Sequence, residues 1–316
     1  MLLRSTFLII WGSLLPAVVF CSSSQLTADE PSPVCEQITD PHLPNAFRLH
    51  DRVISGGQPD GAAGFRALKQ LGIRTVISVD GLKPDVETAR TFGLRYVHLP
   101  HGYDDVPEDR ALELAKAVSS LPGPVYVHCH HGKHRSPAAA AVACIRAGLI
   151  PQESGPAILK IAGTSPKYAG LYQAVSRTQK MERSRLDSIT VQFRESVKLP
   201  PAVELMTQIG QTFEHLEQIA AAGWKPPASH PDLVPAHEAL MLKEHFTEFQ
   251  RVPSVSQRSV QFRQLLAESQ QHADRLETLL ASSGKRPIVA ESRDEAAAEL
   301  AAVRARCSSC HQKFRD

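Results

Sequence analysis

The chain has almost no excess charge of either sign, no low-complexity tract and no internal repeat apart from its successive helical segments. Lys and Arg number 35 and Asp and Glu 33, so the formal net charge of +2 at pH 7 gives no case for nucleic-acid binding. Only one apolar run is long, and it lies at the N-terminus. A chain of 316 residues predicts about two domains.

The N-terminal apolar run, residues 7–20, follows a single arginine. It is shorter than the about 20 residues that a membrane span needs, and it fits the core of a signal peptide. Cleavage after Ser23 or Ser24 removes residues 1–24 and leaves no stable membrane span. A lipoprotein anchor on Cys21 is disfavoured because a phenylalanine precedes it, and an uncleaved anchor is the other alternative. The mature chain is expected to be exported and periplasmic.

Cysteine is scarce, and its spacing is not that of a disulfide framework. Cys21 leaves with the signal peptide, Cys35 falls in a polar segment, and Cys144 is expected to be a packed apolar residue of a helix. The other three cysteines belong to two motifs described below, at positions 129, 307 and 310.

Beyond a polar linker at 25–45, apolar runs alternate with helical patterns, which predicts an α/β domain over 46–182 with a central sheet flanked by helices. The predicted strands are 52–55, 75–79, 95–99 and 124–128, and the predicted helices are 62–71, 86–92, 108–121, 137–147, 153–161 and 168–180. Charged residues 183–199 predict a junction. Residues 200–316 contain no convincing strand and predict an all-α four-helix bundle, with helices at 202–222, 235–250, 256–281 and 293–314.

Residues 128–136 read His-Cys-His-His-Gly-Lys-His-Arg-Ser and are the most informative segment. A β-forming run precedes them and an alanine-rich stretch follows, so the pattern is strand, tight loop and helix N-terminus. Such a loop turns N–H groups inward and adds the positive end of a helix dipole, which suits a phosphate dianion. Free cysteine titrates near ~8.5, and such surroundings lower this to roughly 3.5–7.5. Cys129 is therefore predicted to be a thiolate that attacks phosphorus.

Residues 46–180 resemble the dual-specificity branch of the cysteine-dependent protein tyrosine phosphatases, whose signature is this loop. The segment Ile54-Ser55-Gly56-Gly57-Gln58-Pro59 resembles a bacterial subgroup of that family. The resemblance implies a phosphocysteine intermediate on Cys129, a bidentate grip on phosphate by Arg135, and a hydrogen bond from Ser136 to the departing thiolate. In that family an aspartate after the preceding strand is the general acid. Asp104 is the favoured residue and Asp105 the alternative, although either could serve only as a first-turn acid of the next helix.

The loop is unusually basic, and the residues around the anion site are His130, His131, Gly132, Lys133 and His134. Lys133 occupies a position that is also lysine in some phosphoinositide phosphatases of the family. The expected substrate is therefore a phosphorylated protein or a small polyanionic phosphoester. The alternatives are that these side chains only face solvent, or that the histidines bind a metal ion.

Cys307-Ser308-Ser309-Cys310-His311 is the Cys-x-x-Cys-His pattern of c-type haem attachment. On a helix these three positions share one face, so both thiols can form thioethers while the imidazole reaches the iron. Export agrees with this, because haem is attached after export. A redox dithiol and half a zinc site are the alternatives.

The segment from 200 to 316 is similar to cytochrome c′ and its six-coordinate relatives, four-helix bundles with one haem c near the C-terminus. In six-coordinate members a first-helix methionine, with glycine four residues on, is the other axial ligand, and Met206 and Gly210 match. Met206 could equally be a core residue, in which case the iron could bind a small gas. His215, His237 and His245 are other conceivable ligands.

The two motifs together predict an exported phosphatase fused to a c-type cytochrome that carries electrons or senses redox state or gas, with a possible redox partner protein. The alternative is a catalytically silent phosphate-binding module attached to an electron-transfer cytochrome.

Overall fold

The computed structural model describes residues 35–283 and 290–314. The predicted signal peptide and the first ten residues of the predicted linker lie outside these ranges. Among the described residues, no helix combines the length and apolar character that crossing a membrane requires.

A six-stranded mixed sheet forms the centre of the N-terminal half, in the order β1-β2-β3-β6-β4-β5. β1–β2 and β2–β3 pair antiparallel, whereas β3–β6, β6–β4 and β4–β5 pair parallel. The carboxyl ends of the four parallel strands therefore lie at one edge, where α/β proteins place their sites. The strands are β1 Glu36–Ile38, β2 Ala46–His50, β3 Val53–Gly56, β4 Thr75–Ser78, β5 Arg95–His98 and β6 Val125–His128.

Helices cover both faces of this sheet because residues along each strand alternate between two apolar clusters. In β6, Val125 and Val127 join one cluster and Tyr126 joins the other. The helices of this half are α1 Gly61–Gln70, α2 Val86–Thr91, α3 Glu108–Ser120, α4 Arg135–Arg146, α5 Ser154–Ile161, α6 Ala169–Arg177 and α7 Arg183–Ser188. The predicted α/β architecture, a sheet flanked by helices, is confirmed.

Helix α4 is buried from Arg135 to Ile145. It contacts α3, α5 and α6 as well as the sheet. Its alanine-rich sequence suits this place, because small side chains let neighbouring helices approach closely. The helix begins two residues before the predicted start, so that Arg135 and Ser136 occupy its first turn. The N-terminus of a buried helix thus faces the loop that follows β6.

Two strands and one helix differ from the predictions. β1 lies inside the predicted linker, and its exposed, polar sequence gives no apolar alternation. β2 was not predicted either, although Phe47 and Leu49 are buried on one of its faces. α7 lies within the predicted junction, and only Leu186 of it is buried.

The rest of the predicted junction covers the edge strand β5. The backbone N–H of His98 donates to the carbonyl oxygen of Arg194 at 2.9 Å. The N–H of Val197 donates to Nδ1 of the same histidine at 3.2 Å. Residues 194–197 therefore occupy the place of a neighbouring strand without forming one.

The C-terminal half is helical, as predicted, and its long helices share one apolar core. The helix predicted at 256–281 begins four residues later, at Val260, where Ser259 caps it by accepting the N–H of Phe262 at 3.3 Å, and a short helix that was not predicted starts at Pro253. The helices are α8 Pro201–Ala221, α9 Pro235–Arg251, α10 Pro253–Ser256, α11 Val260–Ser283 and α12 Ala290–Phe314.

Contacts between α11 and α12 show that these two helices are antiparallel. His272 pairs with Glu299 at 2.7 Å, whereas Glu268, earlier in α11, pairs with Arg306, later in α12, at 2.7 Å. α8 with α9, α9 with α11, and α11 with α12 contact one another extensively. α12 and α8 touch at few positions.

Candidate functional site

The loop between β6 and α4 runs from Cys129 to His134, and three of its carbonyl groups accept hydrogen bonds from residues outside the loop. The carbonyl oxygen of His130 accepts the N–H of Gln58 at 3.0 Å. That of Gly132 accepts Nδ2 of Asn45 at 2.9 Å, and that of Lys133 accepts the Thr164 hydroxyl at 2.6 Å. In a trans peptide the N–H points opposite to the carbonyl. The N–H groups that follow these carbonyls therefore point away from Gln58, Asn45 and Thr164, as an anion cradle requires.

Gly132 is needed at the turn of this cradle. Its φ of 72° lies in the left-handed region, which favours glycine. A Cβ there would also overlap the backbone of Gly56 and Gly57. The segment after β3 therefore packs directly on the loop that carries Cys129.

Cys129 lies at the base of the cradle and is only 3% exposed. Its Sγ is 3.3 Å from Oγ of Ser136. The same hydroxyl is 2.8 Å from the carbonyl oxygen of Gly56. A hydroxyl has one proton, so Ser136 can donate it either to that carbonyl or to the sulfur. The geometry fits a serine that stabilises a negative sulfur.

Arg135 is held by a buried carboxylate that the sequence analysis did not identify. Its Nη2 donates to Oδ2 of Asp80 at 2.9 Å, and its guanidinium carbon lies 4.3 Å from the centre of the Tyr103 ring. Burial would raise the pKa of Asp80, but the charge of Arg135 and the N–H of Leu82 outweigh it and hold that pKa below its ordinary value. The side chain of Arg135 is therefore fixed in position and charged.

One donor of this guanidinium remains for a ligand. Nε of Arg135 is buried and has no hydrogen-bond partner among the described residues. An unsatisfied buried donor on a charged group is costly, which makes it a functional signal. An oxyanion in the cradle would satisfy it.

The loop after β5 separates the two candidate general acids. The carboxylate of Asp105 pairs with Arg177 and accepts the N–H of Val106 at 2.7 Å. Asp104 is exposed, and its backbone carbonyl packs on Gly170 so closely that a Cβ there would overlap it. The carboxylate of Asp105 is therefore held by structural contacts, and the assignment of Asp104 as general acid remains a prediction.

His101, on the same loop, was also missed. Its Nδ1 lies 2.9 Å from the carbonyl oxygen of Gly102, and its buried Nε2 has no hydrogen-bond partner within the described residues. Burial, assisted by the charge of Arg135, lowers the pKa of His101 to about 4. The neutral ring therefore directs a lone pair into the region beside the arginine.

The basic residues of the loop do not all face one site. The rings of His130 and His131 pair with the carboxylate of Glu214 on α8. The ring of His134 lies 4.6 Å from that of Tyr168, and Lys133 is exposed. The predicted role of these side chains in substrate binding remains a prediction.

His128 lies behind the loop, where its Nε2 is 2.6 Å from the hydroxyl of Tyr96. Burial lowers the pKa of His128 to about 4, although Asp80 opposes this. The ring is therefore neutral and supports the loop from the sheet side.

The Cys-x-x-Cys-His stretch lies in the last turns of α12. Cys307 and Cys310 are half-buried against the helical core and are not bridged to each other, and His311 is exposed. Burial raises the pKa of Cys307 to about 11 and raises that of Cys310. The two thiols and the imidazole are on one helix, as haem attachment requires.

α12 and α8 make few contacts with each other, and residues on both helices could hold a haem. Arg304 on α12 pairs with Glu217 and lies 5.4 Å from the ring of Phe213, so this part of α12 runs beside α8. Met206 on α8 is half-buried, and a Cβ at Gly210 would meet nothing within 4 Å. The donor set suits the group, and Met206 packs against the same apolar core as Cys307 and Cys310. His215, another conceivable ligand, is 2.8 Å from Glu238.

Sequence reasoning missed Asp80, Tyr103, Asn45, Thr164 and Glu214. Only Asp80 carried a usable signal, because it follows the buried strand β4 at the sheet edge where β6 also ends.

No protein-family model and no curated protein matches this chain. Among solved structures, TpbA of P. aeruginosa is similar, with 23% identity over 46% of this chain and 90% of that one, and a TM-score of 0.40. A structure of TpbA in complex with pTyr matches with 22% identity over 47% and 93% of the two chains, and a TM-score of 0.41. A putative phosphatase (DUF442) from Shewanella putrefaciens CN-32 matches with 20% identity over 44% and 93%, and a TM-score of 0.36.

Proposed function

We propose that the α/β half hydrolyses phosphomonoesters through a phosphocysteine intermediate. The observation that carries this proposal is the buried sulfur of Cys129 at the centre of the loop, next to an arginine whose Nε has no partner among the described residues. A phosphate oxygen bound next to the sulfur would satisfy this donor.

In the first step, the dianion lies against the N–H groups of the loop and the guanidinium of Arg135. Sγ of Cys129 attacks phosphorus, a sulfur–phosphorus bond forms and the bond to the ester oxygen breaks. Asp104 gives its proton to the departing oxygen. Negative charge that develops on the phosphoryl oxygens is stabilised by donors already in place, because Asp80 fixes the arginine.

In the second step, Asp104, now ionised, takes a proton from water, and the water oxygen attacks phosphorus. The sulfur–phosphorus bond breaks and inorganic phosphate leaves. The hydroxyl of Ser136, 3.3 Å from the sulfur, stabilises the departing thiolate. The enzyme returns to its starting state with no outside reductant or oxidant.

The decisive experiment compares Cys129→Ser with Cys144→Ser on an aryl phosphate. Both cysteines are buried, and burial raises the pKa of Cys144 well above its ordinary value, so this thiol remains protonated. We expect Cys129→Ser to lose at least roughly 10³-fold in kcat and Cys144→Ser to retain activity. Equal activity of the wild type and Cys129→Ser would leave the silent phosphate-binding module as the better account.

The substrate that we propose is a phosphorylated protein or a small polyanionic phosphoester. Lys133 is exposed at the loop, which supports a polyanion, whereas the pairing of His130 and His131 with Glu214 removes two cations from that role. A comparison of an inositol polyphosphate with a phosphotyrosine peptide tests this. Preference for the peptide contradicts the polyanion and leaves the hydrolysis itself intact.

We also propose that the helical half is a four-helix bundle of the cytochrome c′ type that binds one haem c. Cys307 and Cys310 would hold it through thioethers, and His311 and Met206 would bind its iron. The haem would supply one-electron chemistry. The half-buried thiols and Met206, which pack against the same apolar core, support this assignment.

Export through a signal peptide at residues 1–24 belongs to the same proposal, because haem c is attached outside the cytoplasm. The test is expression in a host that matures c-type cytochromes, followed by a haem stain on a denaturing gel and fractionation. Cys307→Ser and Cys310→Ser should together abolish the stain. A low-spin spectrum that changes to high-spin in Met206→Ala supports ligation by Met206; an unchanged spectrum contradicts it.

The electron-transfer or sensing role and its redox partner protein follow from this haem. If the haem regulates the phosphatase, turnover should differ between the ferric and ferrous protein. Identical turnover would show that the two halves act independently.

A further inference from the structure

The feature behind this inference is a cluster of three side chains, His130, His131 and Glu214. Nε2 of each histidine faces a different oxygen of the one carboxylate, and the distance for His131 is 3.0 Å. Two residues come from the loop after β6 and one from α8, which lies 83 or 84 positions away in the chain. The ligand atoms all lie within 4.8 Å of one another.

We propose that this cluster is a binding site for a divalent transition-metal ion, with Zn²⁺ the best fit, which joins the loop to α8. Two imidazoles and one carboxylate are the protein ligands of a known class of open tetrahedral zinc site. Zinc lies about 2.0–2.2 Å from such atoms, so its ligands are ~3.4 Å apart. Each ligand atom needs to move by less than about 1 Å to reach that geometry.

Charge gives a reason for a cation at this position. A neutral imidazole that faces a carboxylate with its lone pair is repelled, so each Nε2 needs a proton or a metal ion between it and Glu214. Neutral rings with their proton on Nε2 would each donate to the carboxylate, whereas two fully protonated, charged rings with centres 4.5 Å apart would repel each other. One divalent ion on the neutral rings avoids this repulsion and satisfies all three groups.

Accessibility also fits a site that an ion can enter. The side chain of His130 is 27% exposed, that of Glu214 30% and that of His131 57%. Three protein ligands leave a fourth position for water. The proposal is independent of turnover at Cys129, because it needs only the folded chain.

The experiment is zinc titration of the full-length, haem-loaded protein by calorimetry, with metal content measured after dialysis. Wild type is compared with Glu214→Gln, His131→Asn and the control Glu217→Gln. Glu217 is three positions along α8 and pairs with Arg304. Because the wild type and the variants share every other group that binds zinc, their difference reports this cluster alone.

We expect the wild type to hold one more equivalent of zinc than Glu214→Gln. His131→Asn should bind that equivalent at least roughly 100-fold more weakly, since even outer partners of a metal site contribute 10–100-fold. Glu217→Gln should bind as the wild type does. His131 is exposed, so its substitution tests the site even if Glu214→Gln folds poorly. Equal zinc content and affinity in the wild type and His131→Asn would overturn the proposal and leave a simple ion pair.

Discussion

Each half of the molecule has a cysteine-bearing site, but the two sites are organised differently. Cys129 is 3% exposed, in an irregular loop in which three carbonyls accept hydrogen bonds from residues of other segments. Cys307 and Cys310 are half-buried on a regular helix, α12, which makes few contacts with α8. The first site is fixed by the fold itself, and the proposed catalysis by charge stabilisation would require such donors already in position. The second has two thiols and an imidazole at helical spacing, which would suit the proposed covalently attached haem.

The largest expected effect concerns the buried ion pair that fixes the α/β site. Asp80→Asn leaves the charge of Arg135 buried without its partner, which should cost about 3–5 kcal/mol of unfolding free energy. It should also lower kcat/KM by at least roughly 10²-fold. Urea unfolding and an aryl phosphate assay measure the two effects. In the control Asp105→Asn, whose partner Arg177 is half-exposed, the stability loss should be about 1 kcal/mol or less. Equal losses would show that this site is no more rigid than the surface.

The next effect concerns Asp104, the proposed general acid of the α/β site. Asp104→Asn should lower kcat for an alkyl phosphate by roughly 10²–10⁴-fold. The loss should be smaller for an aryl phosphate, because its leaving oxygen needs a proton less. Asp105→Asn is the matched control on the same loop. A larger loss in the control, with the same dependence on the leaving group, would make Asp105 the acid.

A third effect is the pH dependence that buried histidines give to the α/β half. Burial lowers the pKa of His128 to about 4, below the ~6.5 of an unfolded chain. The unfolded state therefore binds the proton first, so this stability is present above pH ~6.5 and is lost as pH falls towards 4. Between pH 7 and pH 5 the loss should be about 2 kcal/mol.

Hydrogen exchange of the β6 amides, which lie in the buried centre of the sheet, follows this change. His128→Gln should have a shallower pH dependence than the wild type between pH 5 and pH 7. If both proteins lose protection equally, the proton is bound at another group.

The smallest expected effect lies where α8 and α12 meet in the helical half. Glu217→Gln removes an ion pair in which Arg304 is 61% exposed and Glu217 is 31% exposed. Such pairs contribute about 0.2–1 kcal/mol. Chemical unfolding followed by the fluorescence of Trp224 measures this. A loss above about 2 kcal/mol would mean that α8 and α12 are joined as firmly as the α/β site.

The sequence was sufficient for the parts of the fold that local patterns determine. β4 begins at the predicted residue, because all four residues of Thr75–Ser78 are buried and the strand formers Val76 and Ile77 stand out from their surroundings. β1 was not predicted, because a three-residue edge strand with two exposed residues resembles a polar linker. The motif at Cys129 could be recognised from the sequence because the loop, its glycine and its arginine are contiguous in the chain.

The partners of that motif were not predictable because they are remote in sequence. Asp80 is 55 positions from Arg135, and Glu214 is 84 positions from His130. No local sequence pattern indicates either contact. The sheet order brings Asp80 to Arg135, and the position of α8 brings Glu214 to His130. Asp104 and Asp105 are adjacent in sequence, and only the position of Arg177 distinguishes them.

The strap formed by residues 194–197 has a consequence for how the molecule is divided. β5 is the outermost parallel strand, and an uncovered edge strand offers unpaired N–H and C=O groups to any other chain. A cut before Arg194 would expose that edge and promote intermolecular sheet pairing. Proteolytic separation of the two halves should therefore leave a soluble N-terminal fragment only when cleavage falls after Val197.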